Sequence, residues 1–378
     1  MKFVLAPDKY KGSLSGAEFC LAVESGIRKV FPNAEVLKKP LADGGDGTIE
    51  VVCDYLKATP IKVTVKDPLF REITTEYLLA EDGKTAFIEM SEASGYKLLA
   101  KEEMNCMHTT SMGTGQMIVD AMDRGAKEIV LGIGGSATND CGMGMAVALG
   151  YGFLDSDEAV LKPIGENLSK VSKIETTKVH DKLKEVQIKV ACDVTNPLYG
   201  PNGAAKVYAT QKGASKEEVE FLDEGLKSFA KVLETSFGKD VQNIPGAGAA
   251  GGMGAGAIVF LNAVLTSGVD LIMEMANFEE ALVGVDWVIT GEGQLDNQTL
   301  AGKTINGVIK SAKAKNIPVA AFCGSVSITI AQMQEMGLDY AISILTQIGS
   351  LEEAKANSDA NLELASFNFA QLLKQSLG

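Results

Sequence analysis

The chain is short of the residues that metal centres, disulfide frameworks and nucleic-acid surfaces need. It has two histidines, His108 and His180, and six cysteines that form no Cys-x-x-Cys pair. Zinc-ligand spacing is therefore missing, a disulfide framework is not expected, and a reducing cytoplasm fits. Positive charge is also in deficit, with a formal net charge of −14, and such a field repels phosphate backbones. Nucleic acid is thus not an expected partner. The apolar run Phe3–Ala6 stops at Pro7, too short for a secretory signal. Aromatic residues make up only 6%, so the cores are expected to be aliphatic. One stretch, Gly246 to Val269, lacks charge for long enough to span a bilayer. Gly and Ala fill its first half, and Pro245, Asn262, Thr266 and Ser267 flank or interrupt it. A buried, close-packed helix is expected there, not a membrane span.

Other quantities are ordinary for a soluble globular protein: 46% hydrophobic and 22% charged residues. The length of 378 residues suggests two domains on a ~150-residue prior. Glycine is abundant, at 40 residues, and needs a backbone explanation.

The N-terminal segment reads as strand (Phe3–Ala6), loop, and a helix opened by the Ser15/Glu18 capping-box pattern. A short strand at Ala34–Leu37, the loop Asp43–Gly47 and a helix through Ile49, Val52 and Leu56 follow. Ile61–Val65, Thr74–Leu79 and Thr85–Glu89 then read as hairpin strands separated by Asp67–Pro68 and Asp82–Gly83 turns. Strand–helix alternation returns from Trp287 onward, with strands at Trp287–Thr290, Pro318–Cys323 and Tyr340–Leu345. Five strands alternating with helices imply a parallel sheet with right-handed crossovers. The expected architecture is α/β. A Rossmann/flavodoxin-like parallel-sheet domain forms from both termini (1–60 and 285–378), with a large mixed α+β domain (61–284) inserted. The active site is expected in the cleft between them.

Ligands of such sheets gather beyond the carboxyl ends of the strands, at the topological switch point. That rule selects Asp8–Ser13, Asp43–Gly47 and Gly291–Asp296. Lys11 and Ser13 precede a helix N-terminus, where anions bind, or else form a solvated turn capped by Ser15. Asp43 suits magnesium or an alcohol proton, while Asp46 reads as a helix cap. Glu292 and Asp296 offer oxygen ligands for magnesium. Gly132 to Asp140 follows a strand and matches the relaxed dinucleotide fingerprint G-x-G-x-x-A. It is read as a phosphate cradle of backbone N–H groups, with Ser136, Thr138 and Asn139 as added donors. Gly246–Gly251 spells G-x-G-x-x-G, but Pro245 spoils the strand that should precede it. Gly302–Lys303–Thr304 resembles the end of a Walker motif whose first glycine would fall on Asn297. Asp193 is either a metal or substrate carboxylate or an Asx-turn former before Pro197.

Together, in order, these segments resemble the bacterial type I glycerate kinase family (glycerate 2-kinase-like). The likeness is carried by Lys11–Ser15, Leu41–Gly45, Gly113–Gly115, Gly134–Asp140, Cys192–Val194 and Asn196–Leu198. It continues through Gln211–Ala214, Pro245–Gly252 and Thr290–Gly293, with Asp296, Gln298, Thr299, Gly302 and Lys303. It departs from the family at Lys9, Asp46, Phe70, Glu72, Cys141 and Thr210; the family more often has Gly where Phe70 and Cys141 stand. The resemblance implies a two-domain α/β fold, ATP with Mg2+, and glycerate phosphorylated on its 2-hydroxyl. On that basis Gly134, Gly135, Ser136 and Ala137, with Lys11 or Lys303, hold phosphates. Asp193, Glu292 or Asp296 holds magnesium, Asp43 orients or deprotonates the hydroxyl, and Arg71 pairs with the substrate carboxylate. The other readings are a 3-phosphoglycerate-forming kinase, a nucleotide-dependent dehydrogenase built on the glycine fingerprints, and a non-catalytic acid-binding sensor. The sequence fits a monomer or a homodimer equally.

Overall fold

Short apolar runs closed by Pro, Gly or Asp build the strands of two main sheets, one parallel and one mixed. The computed structural model describes residues 1–10, 12–42, 48–296 and 303–376, the side chain of Lys303 excepted. The chain divides into two compact units, Met1–Tyr55 with Val269–Gly378, and Leu56–Gly268. The division falls earlier than the sequence suggests at both junctions. The helices Gly268–Met275 and Phe278–Ala281, expected in the insertion, fall almost wholly in the terminal unit.

The terminal unit holds a five-stranded sheet in the spatial order Tyr340–Ser343, Val319–Cys323, Trp287–Thr290, Lys2–Leu5, Glu35–Lys38. Every pairing is parallel. Counted along the chain this is the 2-1-3-4-5 order of flavodoxin-like sheets, with its switch point between Lys2–Leu5 and Trp287–Thr290. Val319–Cys323 is buried throughout, as expected for a strand covered on both faces. The helix Gly16–Arg28 starts at the anticipated capping box: Ser15 N–H donates to Glu18 Oε2 at 2.8 Å, and Glu18 N–H to Ser15 Oγ at 3.2 Å. It crosses the helix Ser358–Ser376 at Gly26, where a methyl group would lie 2.4 Å from the Glu363 carbonyl oxygen.

The inserted unit holds a six-stranded mixed sheet, ordered Val264–Thr266, Gln187–Ala191, Glu128–Gly132, Thr85–Glu89, Glu72–Leu79, Thr59–Lys66. The last three form the expected antiparallel hairpins. The first four run parallel, which the sequence did not announce. The uncharged stretch forms the buried helix Ala249–Phe260. Among the described residues no helix is long and apolar enough to cross a membrane.

The aliphatic-core expectation is corrected. Phe3, Phe19, Phe153, Phe229, Phe260, Phe278 and Phe322 are among the largest fully buried side chains. Phe153 meets Phe260 edge-on at 5.7 Å between centroids, and Phe322 meets Phe369 at 5.5 Å. Each such contact contributes about 0.5–1.5 kcal/mol beyond its area. Few aromatics suffice because they are clustered.

Candidate functional site

In the inserted unit, register aligns Glu89, Gly132, Ala191 and Thr266 across the carboxyl edge of the four parallel strands. The chain after Gly132 forms the glycine-rich loop. Its carbonyls and one N–H are fixed by neighbours. Ala137 N–H donates to Ser94 O at 2.9 Å, Tyr96 N–H to Gly135 O at 3.1 Å, and Thr109 Oγ1 to Ala137 O at 2.8 Å. Gly135 takes a left-handed φ of 69°, which reverses the chain and exposes Gly134 and Gly135. The N–H groups of Gly134, Gly135 and Ser136 donate to no acceptor among the described residues. No atom of the described residues stands within 4 Å of where a methyl on Gly134 would point. Successive free N–H groups around a left-handed residue form an anion-binding concavity.

Below that turn, Thr138 Oγ1 and both amide atoms of Asn139 are buried without a hydrogen-bond partner among the described residues. Asp140 has the opposite character. Fully buried, it accepts from Ser111 N–H and Ser111 Oγ, both at 2.8 Å, and from the N–H groups of Gly142 and Gly144 at 3.2 and 3.1 Å. Burial pushes its carboxyl above the usual range, against the pull of those donors. This side chain ties the loop to the helix Met143–Ala148.

Lys212, which the sequence reading passed over, is only 5% exposed. Its Nζ donates to Ser136 Oγ at 2.8 Å and to Thr138 O at 2.7 Å. Burial lowers its pKa to about 8. Glu89 was also passed over. Its carboxylate lies so close to Gly132 that a methyl there would come within 2.4 Å of Glu89 Oε2. Burial, helped by Glu92, pushes its carboxyl up to about 7. The available signals were the Gln211–Ala214 motif for Lys212 and, for Glu89, an acid closing an apolar strand.

Asp193 follows the strand neighbouring Gly132, and its Oδ1 accepts from Gly268 N–H at 3.0 Å. Arg71 is engaged already. Its Nε lies 2.5 Å from Asp67 Oδ2 and its Nη1 2.7 Å from Glu103 Oε1.

The terminal unit has its own site, a cleft of about 540 Å³ at the switch point, lined among others by Asp8, Lys9, Ser13, Glu292, Gln294 and Asp296. Asp8 N–H donates to Gly291 O at 2.9 Å, joining the two loops, and Thr304 Oγ1 donates to Asp8 Oδ2 at 2.8 Å. Ser13 Oγ donates to Lys355 O at 3.2 Å and lies 2.8 Å from Ser358 Oγ. Ile344 and Leu351 add apolar wall. Glu292 and Asp296 thus line one cleft, while Asp193 belongs to the other unit. Among the described residues no three His, Cys, Asp or Glu side chains converge as a ready-made metal site. Magnesium usually takes one or two carboxylates beside phosphate oxygens and water, so the oxygen donors present fit it. Lys11 and Asp43 lie outside the described residues, as does the side chain of Lys303.

Neither dinucleotide fingerprint has its required context. After Gly132–Ala137 the next helix starts only at Met143, so no helix N-terminus meets the loop. No strand leads into Gly246, and Ala250, Gly251 and Gly252 take left-handed φ values of 53°, 71° and 87°. That segment instead packs behind the loop: a methyl on Gly251 would lie 2.0 Å from Thr138 O.

By geometry this is a parallel-sheet α/β protein with an exposed N–H turn suited to an oxyanion and a carboxylate-lined cleft at a switch point. The family model described as the glycerate kinase family matches residues 3–374. A glycerate kinase of Halalkalibacterium halodurans is 45% identical, over 97% of this chain and 97% of that one. A glycerate 2-kinase of Escherichia coli is 42% identical, over 99% and 98% respectively. The crystal structure of a protein described as glycerate kinase 2 from Salmonella typhimurium LT2 matches with a TM-score of 0.88 at 40% identity. That match covers 100% of this chain and 99% of that one. The chain belongs to the glycerate kinase family and is an enzyme of the kinase class.

Proposed function

We propose that this enzyme transfers the γ-phosphoryl group of MgATP to the 2-hydroxyl of D-glycerate, giving 2-phospho-D-glycerate and ADP. The observation that carries the phosphate part is the Gly134–Ser136 turn, whose three N–H groups have no acceptor among the described residues. Support for the 2-hydroxyl comes from the name of the Escherichia coli relative, a glycerate 2-kinase.

In the transfer, the glycerate oxygen bonds to the γ-phosphorus as the bond from that phosphorus to the β,γ-bridging oxygen breaks. The hydroxyl proton passes to Asp43. Gly134, Gly135 and Ser136, with Thr138 and Asn139 behind them, cradle phosphate oxygens, and Lys11 or Lys303 adds charge; Ala137, first grouped with them, only closes the turn, because its N–H is spent on Ser94 O. Ser13 serves the nucleotide from the switch-point cleft. Asp193, Glu292 or Asp296 would hold magnesium, which when bound neutralises charge on the phosphates. Arg71 takes the glycerate carboxylate in a bidentate contact as Glu103 yields. The cysteines, free thiols in this structure, fit a reducing cytoplasm.

Incubation with MgATP and D-glycerate followed by phosphorus NMR tests substrate and position together. A 2-phosphoglycerate resonance is expected; 3-phosphoglycerate alone would refute the regiochemistry. Asp43→Asn should lower kcat by about 100-fold or more with ATP affinity nearly kept. Wild-type turnover in that variant would remove Asp43 from the role of base.

A further inference from the structure

We propose that Lys212 is the buried positive charge of the oxyanion site, acting through Ser136 as a positioning residue that aims the serine hydroxyl at a bound phosphate oxygen. The inference rests on the reading of the Gly134–Ser136 turn as a phosphate cradle.

A serine hydroxyl has one hydrogen and two lone pairs. Lys212 has no acceptor capacity, so in its 2.8 Å contact with Ser136 Oγ the ammonium donates and the serine accepts. The single serine hydrogen is thereby left to donate elsewhere. A second Nζ hydrogen bond, to Thr138 O, fixes the ammonium below the turn. No carboxylate lies within ion-pair distance of Lys212 among the described residues, and the side chain is 5% exposed. Asp140 acts on it from beyond ion-pair distance, so its charge is only partly compensated and poorly screened, and its field acts on the turn directly above. A buried ammonium without an ion pair is expensive to keep. A purely structural pin for Thr138 O needs no charge. An oxyanion held by the turn would compensate the ammonium, and the buried, unpartnered Thr138 Oγ1 and Asn139 amide beside it extend the same polar pocket.

The test compares Lys212→Met, Ser136→Ala, their double variant and Gly134→Ala, reading KM for ATP, kcat and stabilisation by ADP. A methyl at Gly134 meets no atom of the described residues, so Gly134→Ala should fold normally and yet obstruct a phosphate. Loss of ATP affinity in Gly134→Ala establishes the cradle. With the cradle established, Lys212→Met should raise KM for ATP about tenfold to a hundredfold. Ser136→Ala should reproduce much of that rise, and the double variant should add little to Lys212→Met. Unchanged KM in Lys212→Met, or fully additive effects, would overturn the role of Lys212 while leaving the cradle intact. Unchanged KM in Gly134→Ala would instead remove the cradle, and the proposal with it.

Should Lys212→Met not fold, the pH profile of Ser136→Ala decides. The titratable groups facing Lys212 are Cys106, whose thiol burial pushes up to about 11, and the buried Asp140. Wild-type KM for ATP should rise above about pH 8 as the ammonium loses its proton, and Ser136→Ala should flatten that rise. An identical profile in the two proteins would overturn the proposal.

Discussion

In the sheet built from both termini, the loops after Lys2–Leu5 and Trp287–Thr290 bring Asp8, Glu292 and Asp296 to one cleft. In the inserted sheet, the loop after Glu128–Gly132 presents N–H groups that have no acceptor among the described residues, backed by a buried ammonium. Both sites obey the same topological rule, lying beyond the carboxyl ends of parallel strands. Their charge is opposite. The sheet thus decides where a site forms, and the loop residues decide whether it suits a cation or an anion. The two also differ in how they are held. The terminal loops are joined by a backbone bond from Asp8 to Gly291, whereas the glycine loop, besides its backbone bonds to Ser94 and Tyr96, is anchored by the fully buried side chain of Asp140.

The largest expected effect tests that last difference. Asp140→Ala leaves the N–H groups of Ser111, Gly142 and Gly144 without their acceptor. Each buried donor left unsatisfied costs about 1–3 kcal/mol, so the three together should cost about 3–5 kcal/mol or more. Thr304→Val removes only the 2.8 Å bond to Asp8 and should cost about 1 kcal/mol. Urea denaturation followed by circular dichroism measures both. Equal losses would break the contrast between a loop hung on a buried carboxylate and loops tied by backbone.

The charge contrast is tested next. Glu292→Gln and Asp296→Asn should each raise the half-saturating magnesium concentration about tenfold to a hundredfold. If Asp193→Asn alone has that effect, the terminal cleft is not the cation-binding edge.

Much of the terminal unit was legible because its signals are local. The Ser15/Glu18 box, the Pro7 stop and the apolar runs each act within a few residues, and the switch-point rule then pointed to Asp8, Glu292 and Asp296. The inserted unit was less legible. Its parallel strands Glu128–Gly132 and Gln187–Ala191 are separated by a long stretch of short elements, so their pairing is a tertiary fact. Lys212 sits in a single 3-10 turn, Thr210–Lys212, and no local pattern announces its burial. The strand Thr85–Glu89 was visible, but that Glu89 would lie over Gly132 depended on pairing in register.

A pH measurement sharpens the point about Glu89. Its ordinary value is 4.5, and burial pushes the carboxyl up to about 7. A raised folded-state value means that its contribution to stability is fully present below about pH 4.5 and lost as pH rises through 7. Glu89→Gln should therefore leave stability at pH 4.5 nearly unchanged and raise it at pH 8 by about 3 kcal/mol. Equal effects at the two pH values would show that Glu89 is not held against ionisation.

The smallest effect separates the units by backbone strain. In the terminal unit the non-glycine residues with left-handed φ are Asn277 and Asn316 among the described residues, a type that tolerates the conformation. In the inserted unit Lys57, Phe70, Cys141, Glu158 and Ala250 adopt it as well as Asn262. Phe70, at φ 65°, and Cys141, at φ 51°, are positions where the family pattern has Gly, so the departures seen in the sequence fall on backbone that Gly would adopt without strain. Phe70 recovers some of its cost, since Lys162 Nζ lies 4.4 Å from its ring centroid. A left-handed non-glycine residue costs about 1–2 kcal/mol, and an exposed cation–π contact returns about 0.5–1 kcal/mol. Phe70→Gly should thus change stability by no more than about 1 kcal/mol, while Phe70→Ala, which keeps the strain and loses the ring, should be about 1 kcal/mol less stable than Phe70→Gly. Equal stability of the two variants in urea denaturation would show that the turn stores no strain at this position.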